Sequence, residues 1–86
     1  MKLTSEDKKI LKENGYLDKD MHQIEEATAR TVYEMNDKEI SQKKALEVLG
    51  REEYLSGISR SAFHWSAVRS NSNGETVYFD SSKLFK

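Results

Sequence analysis

The side chains that could do chemistry in this chain are few and scattered. It has two histidines, His22 and His64, and no cysteine. Transition metals are held by His, Cys and carboxylate groups gathered in threes and fours, often with two ligands one helical turn apart. Glu25 and Glu26 follow His22 at that spacing. A single His–Glu match arises readily in any charged helix, and no second histidine joins it, so no metal site is expected. Ser59, Ser61 and His64 lie close together, but nothing nearby would orient the histidine toward a hydroxyl as nucleophilic catalysis requires. A Gly-rich phosphate loop and a nucleophile elbow are both absent. The residues read as a protein without catalytic activity, cofactor or metal.

Recognition chemistry is better represented. Arg60, His64, Trp65 and Arg69 combine positive charge with an aromatic ring, a set that can grip phosphates or stack on bases. Arg60 and His64 stand one turn apart and would be exposed together. Glu6, Asp7, Glu25 and Glu26 offer carboxylates that could mimic phosphate spacing toward a basic groove, or simply form solvated helix faces. The run from Ser56 to Ala62 is rich in Gly and Ser, each of which costs about 0.5–1 kcal/mol in a helix interior relative to Ala. Close approach of another backbone would explain that composition, whether from the chain's own sheet or from a partner. With Phe63 beside the run, the candidate partner-binding residues are Arg60, Phe63, His64, Glu25 and Glu26.

These residues must be positioned by secondary structure. Thr4 caps a first helix with Glu6 and Asp7 in its opening turn, and Asn14-Gly15 ends it, with Tyr16 placed to cover Leu11. A second helix runs from Asp18 to Ala29, with Leu17 as a staple before its cap and Gln23, Glu25 and Glu26 facing water. Thr31 to Met35 and Lys38 to Ile40 form a hairpin about Asn36-Asp37. Ser41 caps a third helix that ends at Gly50, and a fourth runs from Arg51 to about Arg69. On that fourth helix Tyr54, Leu55, Ile58, Ala62, Trp65 and Val68 make the core face, while Phe63 points away with Ser56, Ser59 and Ala67. After a loop at residues 70–74, Glu75 to Asp80 alternates as a strand, and Leu84 and Phe85 fold a short tail onto the core. The fold class is α+β: about four helices with a small three-stranded antiparallel sheet, made of the hairpin near 31–40 and the strand near 75–80.

At 86 residues the chain is one small domain, and a chain of this size buries only about 60–65% of its unfolded surface. Self-association would help stability, and an exposed Phe63 would supply a surface for a homodimer. Charged residues are 34% of the chain, yet the net charge is −1. Residues 1–40 hold seven basic and ten acidic side chains, residues 41–86 seven basic and five acidic. A protein that lives on a phosphate backbone normally shows a strong basic excess. The opening residues lack an apolar segment of the secretory kind, and no apolar run approaches the ~18–20 residues of a membrane span, so the expectation is a cytoplasmic protein.

Residues 41–60 come near a helix-turn-helix, with Ala45 on the first helix and a Gly at its end. The Gly follows Ala45 by five residues, whereas DNA-reading pairs place it after four. Glu52 and Glu53 then stand where phosphates would come. A small DNA-binding regulator using residues 41–69 is the alternative reading, and a continuous basic face over Lys43, Lys44, Arg51 and Arg60 would favour it.

The order of charged helices, hairpin, then ISQKKALEVLG, EYLSGISRSAFHW and GETVYFDSSKLF resembles the short uncharacterised proteins of phages and mobile elements of low-GC Gram-positive bacteria. The resemblance covers nearly the whole chain and carries no catalytic residues. It implies a small interaction protein that binds and blocks a host protein or nucleoprotein complex, as anti-CRISPR proteins do against host defence nucleases.

Overall fold

The computed structural model describes all of residues 1–86. Helix α1 spans Ser5–Glu13 behind a full capping box: Thr4 Oγ1 accepts from Asp7 N at 3.1 Å, and Asp7 Oδ2 accepts from Thr4 N at 3.0 Å. Gly15, at φ +97°, turns the chain out of the helix, as the left-handed position at a helix end demands. A 3-10 turn, Asp18–Asp20, leads into α2, Met21–Arg30. The hairpin follows as β1, Val32–Met35, and β2, Lys38–Ile40. Asn36 and Asp37 both take positive φ, 56° and 64°, the two-residue turn whose twist matches its strands. Helix α3, Gln42–Leu49, starts from Ser41, whose hydroxyl accepts from Lys44 N. Gly50 at φ +81° separates it from α4, Arg51–His64.

The sheet has four antiparallel strands in the order β2-β1-β4-β3, where β3 is Ser66–Ser70 and β4 is Thr76–Asp80. Registers Tyr33↔Phe79 and Ala67↔Phe79 place Tyr33, Phe79 and Ala67 on one face, where all three are buried. The register row Val68, Tyr78, Glu34, Glu39 belongs to the other face, on which Val68 and Tyr78 stay exposed. Helix α4 packs against the sheet at β3 and β4, and α1, α2 and α3 pack against α4. Fifteen buried apolar residues form one cluster, so each carries a large share of a small core.

The expected third strand is present, and the sheet has a fourth. Helix α4 stops at His64, five residues short of its expected end, and residues 66–70 form the edge strand β3 instead. Trp65 and Val68 therefore leave the core face and are exposed. Phe63, expected to point away from the core, is half-buried against the core cluster, its ring stacked on Tyr16 at 6.0 Å. Ser59 and Ala67, placed on Phe63's side by helical periodicity, are also buried. Leu17 is exposed and staples nothing. Gln23 is not a water-facing residue: its Nε2 donates to Ala62 O at 2.7 Å, tying α2 to α4.

Within the small-residue run of α4, the glycine is explained inside the molecule. Gly57 lies directly beneath the Phe79 ring, which occupies the space a Cβ would need. That ring is held between Tyr33, edge-on at 5.4 Å, and Tyr54 at 5.9 Å.

The two tyrosine hydroxyls meet at 2.6 Å, and Gln42 Nε2 donates to Tyr54 Oη at 3.0 Å. Burial, with the neighbouring Tyr54 phenol adding to it, pushes Tyr33 far above the ordinary phenol range. Burial also raises Tyr54, against the lowering effect of its hydrogen bonds from Tyr33 and Gln42. An unfolded tyrosine loses its proton near pH ~10. Above that pH the unfolded chain binds fewer protons than the folded one, so stability falls as pH rises, by up to about 1.4 kcal/mol per pH unit per tyrosine. Stability from this pair is fully present below pH ~10 and is lost above it. Base titration followed by phenolate absorbance and circular dichroism should show Tyr33 and Tyr54 ionising only with unfolding. Phenolate from all four tyrosines with intact secondary structure would contradict this.

Candidate functional site

The exposed end of α4 carries the least ordinary backbone in the chain. Three non-glycine residues have positive φ, and two of them are the hairpin pair Asn36-Asp37. The third is Trp65, at φ 74° and ψ −37°. A bulky side chain in this region is strained by about 1–3 kcal/mol and persists only where its surroundings fix it. Here they do. Ser81 N donates to Trp65 O at 2.7 Å. Beneath the turn a buried hydroxyl chain joins three elements: Thr31 Oγ1 to Ser81 Oγ at 2.6 Å, and Ser81 Oγ on to Ser61 Oγ at 2.8 Å. Ser61 Oγ in turn donates to Ile58 O within α4.

The strained turn presents the indole outward. Trp65 is 56% exposed and stacks on Phe85, itself 38% exposed, with ring centroids 5.2 Å apart and planes 8° from parallel. Phe85 is delivered by the C-terminal 3-10 turn, Ser82–Phe85. Asp80 fixes the start of that turn: its Oδ1 accepts from Ser82 N at 3.0 Å. That hydrogen bond, with help from the charges of Lys86 and Lys83, holds the Asp80 carboxyl below the usual carboxylate range. His64, Lys83 and Lys86 flank the two rings in sequence and are exposed. The result is a flat, exposed pair of stacked rings.

The sequence-derived site residues do not gather at one place. Arg60 and His64 are exposed one turn apart on α4, as expected. Phe63 is committed to Tyr16 and the core. Glu25 is half-buried, its Oε2 accepting from Leu3 N at 2.8 Å, so it fastens the N-terminus to α2. Glu26 remains exposed. Of the other two carboxylates considered as phosphate mimics, Asp7 is buried in its capping box and Glu6 pairs with Arg51 at 3.2 Å. Arg51 also approaches Asp7 at 3.4 Å. The proposed basic face over Lys43, Lys44, Arg51 and Arg60 is thus interrupted by acids at Arg51. Seven of the fourteen residues of α4 are buried, so one face of the helix packs on its own fold.

No family profile, curated protein or solved structure matches this chain. No helix is long and apolar enough to cross a membrane.

The Trp65–Phe85 platform escaped the sequence reading because periodicity assigned Trp65 to the core stripe, three residues after Ala62 and three before Val68. One signal pointed the other way. A Gly-containing loop at residues 70–74 followed by a strand is the mark of a hairpin. A strand before that loop forces the helix to end near residue 65.

Proposed function

We propose that this chain is a small non-catalytic binding protein that docks on another protein through the Trp65–Phe85 platform. The observation that supports it most is the conjunction at Trp65 of strained backbone and exposed indole. A small domain gains by burying its only tryptophan, yet this one holds it outside at a conformational cost. Strain of this kind clusters at functional sites, and rigid exposed aromatics are the commonest anchors of protein interfaces. The flanking His64, Lys83 and Lys86 suit a partner whose apolar pocket is rimmed by carboxylates.

The phage-protein resemblance extends the proposal to an inhibitor of a host defence nuclease, of the anti-CRISPR type. Such an inhibitor would work by occupying a protein surface with the platform. Phosphate mimicry has less support, since Asp7 and Glu25 are engaged within the fold.

Pull-down from bacterial lysate, with and without nuclease treatment, tests the reading. A protein partner that survives nuclease digestion with the wild-type chain and is lost with Trp65→Gly is the expected result. Retention that disappears with the nucleic acid would overturn it, as would equal retention by the variant. Because Trp65 is the only tryptophan, its fluorescence should also shift to shorter wavelength when the partner buries it.

A further inference from the structure

Between the end of α1, the middle of α4 and the edge strand β3 lies an open concavity of about 230 Å³, lined by Asn14, Tyr16, Ser56, Ser59, Arg60 and Arg69. It is separate in its residues from the aromatic platform. Arg69 is built into its wall: its Nε donates to Ser56 Oγ at 3.0 Å and its Nη1 to Val68 O at 2.8 Å. That leaves Nη2 without a partner in the protein. Arg60 is exposed and makes no hydrogen bond within the fold. The ion pairs of the protein use Lys12 and Arg51, and neither Arg60 nor Arg69 has a carboxylate within 4.0 Å. Acidic side chains outnumber Lys and Arg by fifteen to fourteen, yet two arginines without an ion-pair partner line one concavity.

The remaining lining is polar and uncharged, with Ser59 Oγ donating to Ser56 O at 3.1 Å. Ser56 Oγ accepts from Arg69, so its own proton is free to donate into the concavity. Tyr16 and Asn14 also line the space, and no carboxylate does. A half-buried, pre-positioned guanidinium beside a second mobile one is the arrangement that binds phosphate oxygens bidentately. A phosphate monoester brings a charge of about −1.5 to −2 and three acceptor oxygens at neutral pH, which matches this donor set better than a two-oxygen carboxylate. At about 230 Å³ the concavity is smaller than the roughly 300–1,000 Å³ of drug-sized ligand sites. It admits a phosphate group, with any attached organic part lying outside.

We infer that the Arg60–Arg69 concavity is an oxyanion site that takes the phosphate group of inorganic phosphate or of a phosphomonoester. Amide NMR spectra of the isotope-labelled full chain, titrated with inorganic phosphate at ionic strength held constant by chloride, test it. Saturable shifts confined to Asn14, Tyr16, the Ser56–Arg60 segment and Arg69, with a Kd of about 1 mM or tighter, are the expected result. Arg60→Gln should weaken binding about tenfold or more, and because Arg60 supports nothing in the fold this variant keeps its native spectrum. Arg69→Gln should do the same, with its folding checked by thermal melting. A parallel titration with a nucleoside monophosphate distinguishes the sources: tighter binding assigns a nucleotide ligand, and equal binding assigns free phosphate. Shifts that never saturate, that chloride alone reproduces, or that survive Arg60→Gln undiminished would overturn the assignment.

Discussion

Gly57→Ala is expected to destabilise the protein by about 2 kcal/mol, although alanine is the better helix former by up to about 1 kcal/mol. An added Cβ would stand 2.5 Å from Phe79 Cζ and 2.6 Å from Cε1, well inside contact distance. Overpacking of this kind typically costs about 1–3 kcal/mol, and more where the neighbour cannot yield. The Phe79 ring cannot yield easily. It is fully buried, with Tyr33 edge-on and Tyr54 against it, and those two are joined through their hydroxyls. Either the ring moves and strains the tyrosine pair, or α4 lifts from the sheet. A chain of 86 residues has only about 4–13 kcal/mol of stability at the usual range per residue, so the loss is readily measured by urea unfolding. Phe79→Leu removes the obstructing ring edge. In a double-mutant cycle it should couple favourably to Gly57→Ala by about 1 kcal/mol or more. Simple additivity would show that the ring is not what excludes the methyl group.

The same residue shows what could be read in advance. That several small residues in α4 imply close approach was legible from helix propensity alone. What approaches was not, because the Phe79 ring comes from a strand more than twenty residues away and propensity carries no tertiary information. Local features with a fixed chemical signature were legible: the Thr4 and Ser41 caps, the Gly15 and Gly50 stops, and the Asn36-Asp37 turn. All depend on contacts within four residues. Residues 65–70 failed for the opposite reason. Ser, Ala, Val and Arg are acceptable in a helix, and Trp65 and Val68 continue its apolar spacing, so nothing local marks an end. The chain makes its left-handed turn with a tryptophan where Gly or Asn is the usual choice. A tertiary hydroxyl chain through Thr31, Ser61 and Ser81, distant in sequence, holds it there. The candidate site was the least legible part for this reason, since it rests on the one position where backbone preference is overridden. Where periodicity is broken without a breaker residue, sequence patterning assigns an exposed aromatic to the core by default.

Trp65 itself gives the sharpest test of that override. Both Trp65→Ala and Trp65→Gly delete the indole and its stack on Phe85, so both lose the same packing. They differ in backbone. Alanine at φ 74° keeps the left-handed strain of about 1–2 kcal/mol that any L side chain suffers there, and glycine escapes it. Glycine's extra freedom in the unfolded chain offsets this only in part. Trp65→Gly should therefore be more stable than Trp65→Ala by about 1 kcal/mol, the reverse of their order in a helix interior. Chemical denaturation of the two variants measures the difference directly. A Gly variant less stable than the Ala variant would mean that the backbone at Trp65 is relaxed and that the ring is held outward without strain. For partner binding the two should be equally defective. Removing a central aromatic anchor typically costs at least about 2 kcal/mol, or some thirtyfold in Kd. Stability separated from binding in this way identifies what the strain does. Under the proposed docking role, its effect is to hold one large ring in place for a partner.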